Sequence, residues 1–125
     1  MFTIYGHGQG EASGTDILDW YYAEFGLGDD LQTAPAFPQE TYGKLQASSP
    51  IVYVDAVKAD ILLFVGASDR RVAPTQGINY YHALRAAGKL VEMLVFPGQG
   101  HSLEGLEETR VRYEATRDWF SSKRV

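Results

Sequence analysis

Cysteine is absent from the 125 residues, so neither a disulfide nor a thiolate metal site can be built from them. Basic residues are the minority charge: 11 Lys and Arg stand against 16 Asp and Glu, a formal net charge of −5. A surface of that sign repels phosphate backbones and anionic headgroups, which argues against nucleic acid or a membrane as partner. No apolar run approaches the roughly 20 residues of a bilayer span. Met1-Phe2-Thr3-Ile4-Tyr5 has neither the basic patch nor the long apolar core of a secretory signal, and a cytoplasmic location is the default.

What the chain does have is 45% hydrophobic residues, enough for the core of one ordinary domain. Its organising stretch runs from Asp60 to Pro74. Ile61-Leu62-Leu63-Phe64-Val65 is unbroken by any polar residue, the pattern of a strand covered on both faces in a parallel sheet. Gly66 permits a sharp turn at its end, and Asp69 follows in the loop. Open α/β sheets place their chemistry at the C-terminal ends of such strands. Leu90 to Phe96 is a second apolar strand, broken by Pro97-Gly98-Gln99-Gly100, after which a loop presents His101. Two neighbouring parallel strands would deliver Asp69 and His101 to one rim, an acid followed by a histidine as in the Ser…Asp…His order of α/β-hydrolases.

The segments around these two strands supply helices. Phe2 to Tyr5 is β-prone, and residues 1–14 as a whole read as a flexible lead-in or a remnant of upstream sequence. Gly6, Gly8 and Gly10 do not fit G-x-G-x-x-G, and no P-loop Lys accompanies them. They do have the skeleton of the G-x-S-x-G nucleophile elbow, with glycine where the serine belongs. Ser13, the nearest hydroxyl, lacks the flanking glycines.

Thr15 or Asp16 can cap an aromatic-rich helix through residues 17–25, stopped by Gly26. Asp16, Asp19 and Glu24 then form a solvated acidic face rather than a metal cluster. Residues 26–40 read as an irregular excursion, Gln39 to Ala47 as a short helix, and Ile51 to Val57 as an extended stretch. Thr75 caps a helix from Gln76 to Ala87, with Ile78, Tyr81 and Leu84 on one face and Gly88 as its stop. His82 within it reads as a surface residue. A last helix runs from about Glu107 to Lys123, with Val111, Ala115 and Trp119 facing the sheet and Phe120 beside them. Its acidic start and basic end suit the helix dipole. The fold class is α/β, with parallel strands flanked by helices and no second domain.

Asp69-Arg70-Arg71-Val72-Ala73-Pro74 after the strand, then Gln76 and Tyr80-Tyr81-His82-Ala83-Leu84, resembles the C-terminal catalytic region of the prolyl oligopeptidase family of serine peptidases. Phe96-Pro97 with His101 is similar to that family's histidine loop. Within the family, Thr15-Asp16-Ile17 with Asp19-Trp20, and Ser49-Pro50-Ile51, look most like acylaminoacyl peptidases. The match spans residues 15–121.

The resemblance implies that residues 15–125 are the C-terminal portion of an α/β-hydrolase domain acting on N-acylated peptides. Asp69 would be the triad acid and His101 the triad base, with no cofactor and no metal. Arg71 matches a family arginine and reads as an ion-pair residue rather than a substrate contact. Family members also have a β-propeller and the first half of the hydrolase sheet, which carries the serine and the oxyanion donors. The 125 residues contain no G-x-S-x-G, so the chain is expected to be an inactive fragment when alone. It should self-associate or pack on the rest of the domain. Two other readings stay open: an esterase or lipase fragment of the same fold, and a non-catalytic interaction module derived from one.

Overall fold

The computed structural model describes residues 2–5, 39–47 and 49–122. In chain order they form strand β1 (Phe2–Tyr5), helix α1 (Gln39–Ala47), a 3-10 helix (Pro50–Ala56), strand β2 (Ile61–Gly66), helix α2 (Pro74–Ala86), strand β3 (Val91–Phe96) and helix α3 (Leu106–Ser122). The helix expected over residues 17–25, the Gly6-to-Gly10 segment, Ser13 and the basic end at Lys123 and Arg124 lie outside the described residues.

All six residues of β2 are buried, as the unbroken apolar run requires. Side chains alternate across a strand, so this one run supplies two cores. Leu62 and Phe64 enter a cluster with Phe96, Leu103 and Trp119, against which Val111 and Ala115 of α3 also pack. Ile61 and Leu63 enter the opposite cluster with Leu84 of α2 and Val91, with Tyr80 and Tyr81 packed against it. Helices therefore cover β2 from both sides. Burying an aliphatic or aromatic side chain fully is worth about 1.5–3 kcal/mol, which makes β2 the thermodynamic centre of the described fold.

The sheet order is β1-β2-β3, and both pairings are parallel. Gly66 stands in register with Phe96, so β2 and β3 end side by side and their following loops leave from one edge. No helix among the described residues is long and apolar enough to cross a membrane.

Four local features differ from the sequence expectation. Residues 50–56 coil into a 3-10 helix instead of extending: Pro50 occupies the first turn, where its fixed φ suits a helix start. Ile51, Val54 and Val57 are half-buried at intervals of three, the period of that helix, and Val54 and Val57 pack on the α2-side cluster. Packing thus overrides the β preference of the branched residues.

Helix α2 begins at Pro74 with Ala73 as its N-cap, ahead of the Thr75 cap the pattern suggested. Proline is tolerated at the first helical position because the missing N–H there has no intrahelical partner. Its C-terminus ends as expected, with Gly88 at φ 71, a conformation that costs glycine nothing.

Strand β3 begins at Val91, one residue after Leu90, and is buried only at its two ends, with Glu92 and Val95 exposed. It is an edge of the described sheet, and so is β1. Finally, Phe120 is exposed, while Trp119 beside it carries the buried contact of α3.

Candidate active site

Two main-chain hydrogen bonds join the loops that follow β2 and β3. Ala67 N–H donates to the Phe96 carbonyl (3.0 Å) and Ser68 N–H to the Gln99 carbonyl (2.9 Å). They extend the ladder one step past the strands, so the loops start side by side whatever side chains they carry. Asp69 N–H donates to the Gly66 carbonyl (3.2 Å), which closes a tight turn and swings the carboxylate over the sheet edge.

The Asp69 carboxylate is then held from two directions. Oδ1 accepts the N–H groups of Arg71 (2.8 Å) and Val72 (3.0 Å), an Asx-type turn. Oδ2 lies 2.9 Å from Nδ1 of His101. The side chains are 9% exposed for Asp69 and 16% for His101, so the contact is largely shielded from water, where a charge-assisted hydrogen bond is strongest. An ionised carboxylate only accepts. The nitrogen facing it therefore carries the hydrogen, and the lone pair falls to Nε2, the tautomer a general base needs.

The histidine loop has its own anchors. Leu103 is buried in the α3-side cluster although its φ is 50, in the left-handed region. Such a conformation costs an L-residue roughly 1–2 kcal/mol, which the burial of a leucine side chain offsets. Gly105 N–H donates to the side-chain Oε1 of Gln99 (3.2 Å), and the Gly105 carbonyl accepts Thr109 N–H (2.8 Å) in the first turn of α3.

Of the residues singled out in the sequence, Asp69 and His101 are brought together. His82 is exposed on α2, edge-on to Tyr81 with ring centroids 5.3 Å apart. Arg71 contributes its backbone N–H to the Asp69 turn. Its side chain is exposed and forms no ion pair among the described residues. No three carboxylate or imidazole groups among the described residues converge as metal ligands would.

Gln99 and Leu103 were not singled out. The apolar residue two places after the histidine was a signal for the second, since a leucine in a polar loop asks for a buried site. Nothing in the sequence marks Gln99.

Residues 3–124 match the model of the prolyl oligopeptidase family. Among curated proteins, the acylamino-acid-releasing enzyme of Mus musculus is 38% identical over 93 residues, which cover 74% of this chain and 12% of that enzyme. The Arabidopsis thaliana enzyme of the same name is 36% identical over 90 residues, 72% of this chain and 12% of its own length. The chain thus spans about an eighth of these relatives. Among solved structures, the uncomplexed acylaminoacyl peptidase of Pyrococcus horikoshii superposes with a TM-score of 0.59 at 28% identity, covering 62% of this chain and 13% of that one.

Proposed function

The chain belongs to the prolyl oligopeptidase family and carries part of an α/β-hydrolase fold, and from that premise we propose that it supplies the acid and base of a serine peptidase that releases N-acylated residues from peptides. The observation that supports this reading is the 2.9 Å contact between Asp69 and His101 at the ends of adjacent parallel strands.

In the proposed mechanism a serine contributed from outside these 125 residues attacks the carbonyl carbon of the scissile amide. His101 Nε2 takes the hydroxyl proton, and Nδ1–H donates to the Asp69 carboxylate, which stabilises the imidazolium. As the tetrahedral intermediate collapses, the C–N bond breaks and His101 returns the proton to the leaving amine. Water then repeats the sequence on the acyl-enzyme and releases the acylated amino acid. Backbone donors facing the oxyanion, also supplied from elsewhere, are worth about 3–4 kcal/mol each.

The same reading gives the two edges of the described sheet a cover. Strands β1 and β3 would pair with, or be shielded by, the remainder of a hydrolase domain or a second copy of the chain.

The deciding experiment compares the chain alone with the longest open reading frame that contains it, using an N-acetylated peptide, a panel of p-nitrophenyl esters and a fluorophosphonate label. The longer product should release the acetylated residue and take up the label, while the chain alone does neither. Turnover by the chain alone would refute the division of the triad. Cleavage of esters but not acyl-peptides by the longer product would favour the esterase reading.

A further inference from the structure

Fixing an imidazole requires more than one hydrogen bond to its ring. The backbone that bears it must also hold still, and His101 sits in a loop with glycine on either side, at Gly100 and Gly105. Glycine leaves φ and ψ loosely restrained, so such a loop needs ties of another kind. Between residues 99 and 105 one of those ties comes from a side chain. The Oε1 of Gln99 accepts the Gly105 N–H at 3.2 Å, which joins the two ends of the turn that carries His101. The same residue uses its main chain as well: its carbonyl accepts Ser68 N–H at 2.9 Å, and its N–H donates to the Phe96 carbonyl at 3.3 Å. Gln99 is therefore bonded at once to the end of β3, to the loop that bears Asp69 and to the start of α3.

We propose that Gln99 is a positioning residue for His101: its side-chain carbonyl closes the 99–105 turn and so holds the imidazole at the Asp69 carboxylate. This deepens the acid–base reading given above and rests on it. The hydrogen bonds of Gln99 run to Phe96, Ser68 and Gly105, and its effect reaches the dyad through the loop backbone. Leu103 anchors the middle of the turn in the core, while Gln99 joins its ends. Losing the side-chain bond leaves the core anchor in place and lets the two glycine ends move. The expected result is a folded protein whose His101–Asp69 contact opens more often.

The experiment is proton NMR of the full chain, following exchange with water of the His101 Nδ1–H and of the Gly105 amide. Gln99→Met removes the acceptor at similar side-chain length, and Gln99→Glu retains one. Asp69→Ala serves as the reference for the dyad itself. In Q99M the Nδ1–H should exchange roughly 3- to 10-fold faster than in the unaltered chain, the range expected from losing one neutral hydrogen bond. Q99E should stay near the unaltered rate, and both variants should melt at similar temperatures. A Nδ1–H that exchanges equally fast in Q99M and the unaltered chain, but is lost in D69A, would overturn the role of Gln99 alone. A resonance indifferent to D69A would overturn the dyad. Should Q99M fail to fold, the Gly105 amide of the unaltered chain still decides: protection supports the bond, and exchange at the rate of an open loop overturns it.

Discussion

Gly66 and Gly100 lie so close that a Cβ added at Gly66 would stand 2.3 Å from the Gly100 carbonyl oxygen and 2.7 Å from that of Gln99. The histidine loop therefore crosses directly over the last residue of β2, and hydrogen is the only side chain the crossing admits. Gly66→Ala should force main chain, not a flexible side chain, to move. The expected cost is about 1–3 kcal/mol, the usual range for overpacking, read as a lowered urea midpoint. The Nδ1–H resonance of His101 should weaken in the same variant. An alanine variant as stable as the parent would contradict the crossing.

Asp69→Asn tests the carboxylate with little change of shape. The amide oxygen can still accept from Arg71 and Val72, so the turn should survive and the fold with it. The amide nitrogen can face Nδ1 and donate to it, which moves the ring hydrogen to Nε2 and removes the lone pair the serine proton needs. In an enzyme assembled around this region, kcat on an acyl-peptide should fall by a factor on the order of 10⁴. A loss of less than tenfold would remove Asp69 from the chemistry.

Leu103 combines burial with a left-handed backbone, and two substitutions separate the effects. Leu103→Ala deletes core contacts and should destabilise by about 2–4 kcal/mol. Leu103→Gly deletes slightly more but relieves roughly 1 kcal/mol or more of backbone strain. The glycine variant should therefore be no less stable than the alanine variant by thermal denaturation, the reverse of their order within a helix or strand.

On the exposed face of α3, Arg110 pairs with Glu107 and, at 2.9 Å, with Glu114. The hydrogen bond from Arg110 holds the Glu107 carboxyl below its ordinary range, while the guanidinium is pushed up by the same partners. A carboxyl lowered in the folded state contributes stability above its unfolded value of about 4.3, and loses it as the pH falls through the lowered folded value. Glu107→Gln should lower the melting temperature slightly at pH 6 and not at all once the pH lies below both values. Molar salt should shrink the difference at pH 6, because the pair is open to solvent.

The described sheet presents two uncapped edges, at β1 and at β3. Purified alone, the chain should form dimers or larger species whose proportion rises with concentration in multi-angle light scattering. A monodisperse monomer at millimolar concentration would mean that residues of this same chain cover those edges.

The central strand and the loops bearing Asp69 and His101 were legible because each rests on a local signal. An unbroken apolar run, a glycine break and a polar residue at a strand end need no knowledge of distant contacts. The 3-10 helix at Pro50–Ala56 was not legible. Its branched residues favour extension, and only the three-residue spacing of Ile51, Val54 and Val57 against a core assembled elsewhere selects the coil. Phe120 shows the same limit from the other side: on a helix, apolar character alone does not say which of two adjacent residues faces the sheet. Gln99 was hidden for another reason, since a hydrogen bond across six residues of irregular loop has no periodicity to betray it.

The joints between the two loops, from Ala67 to Phe96 and from Ser68 to Gln99, consist wholly of peptide groups. Almost any amino acid can furnish such a group, so alignment of the acid with the base is insured against drift in the residues that flank them. A saturation library should accordingly accept wide variety at Ala67 and Ser68, proline excepted, while admitting almost none at Gly66.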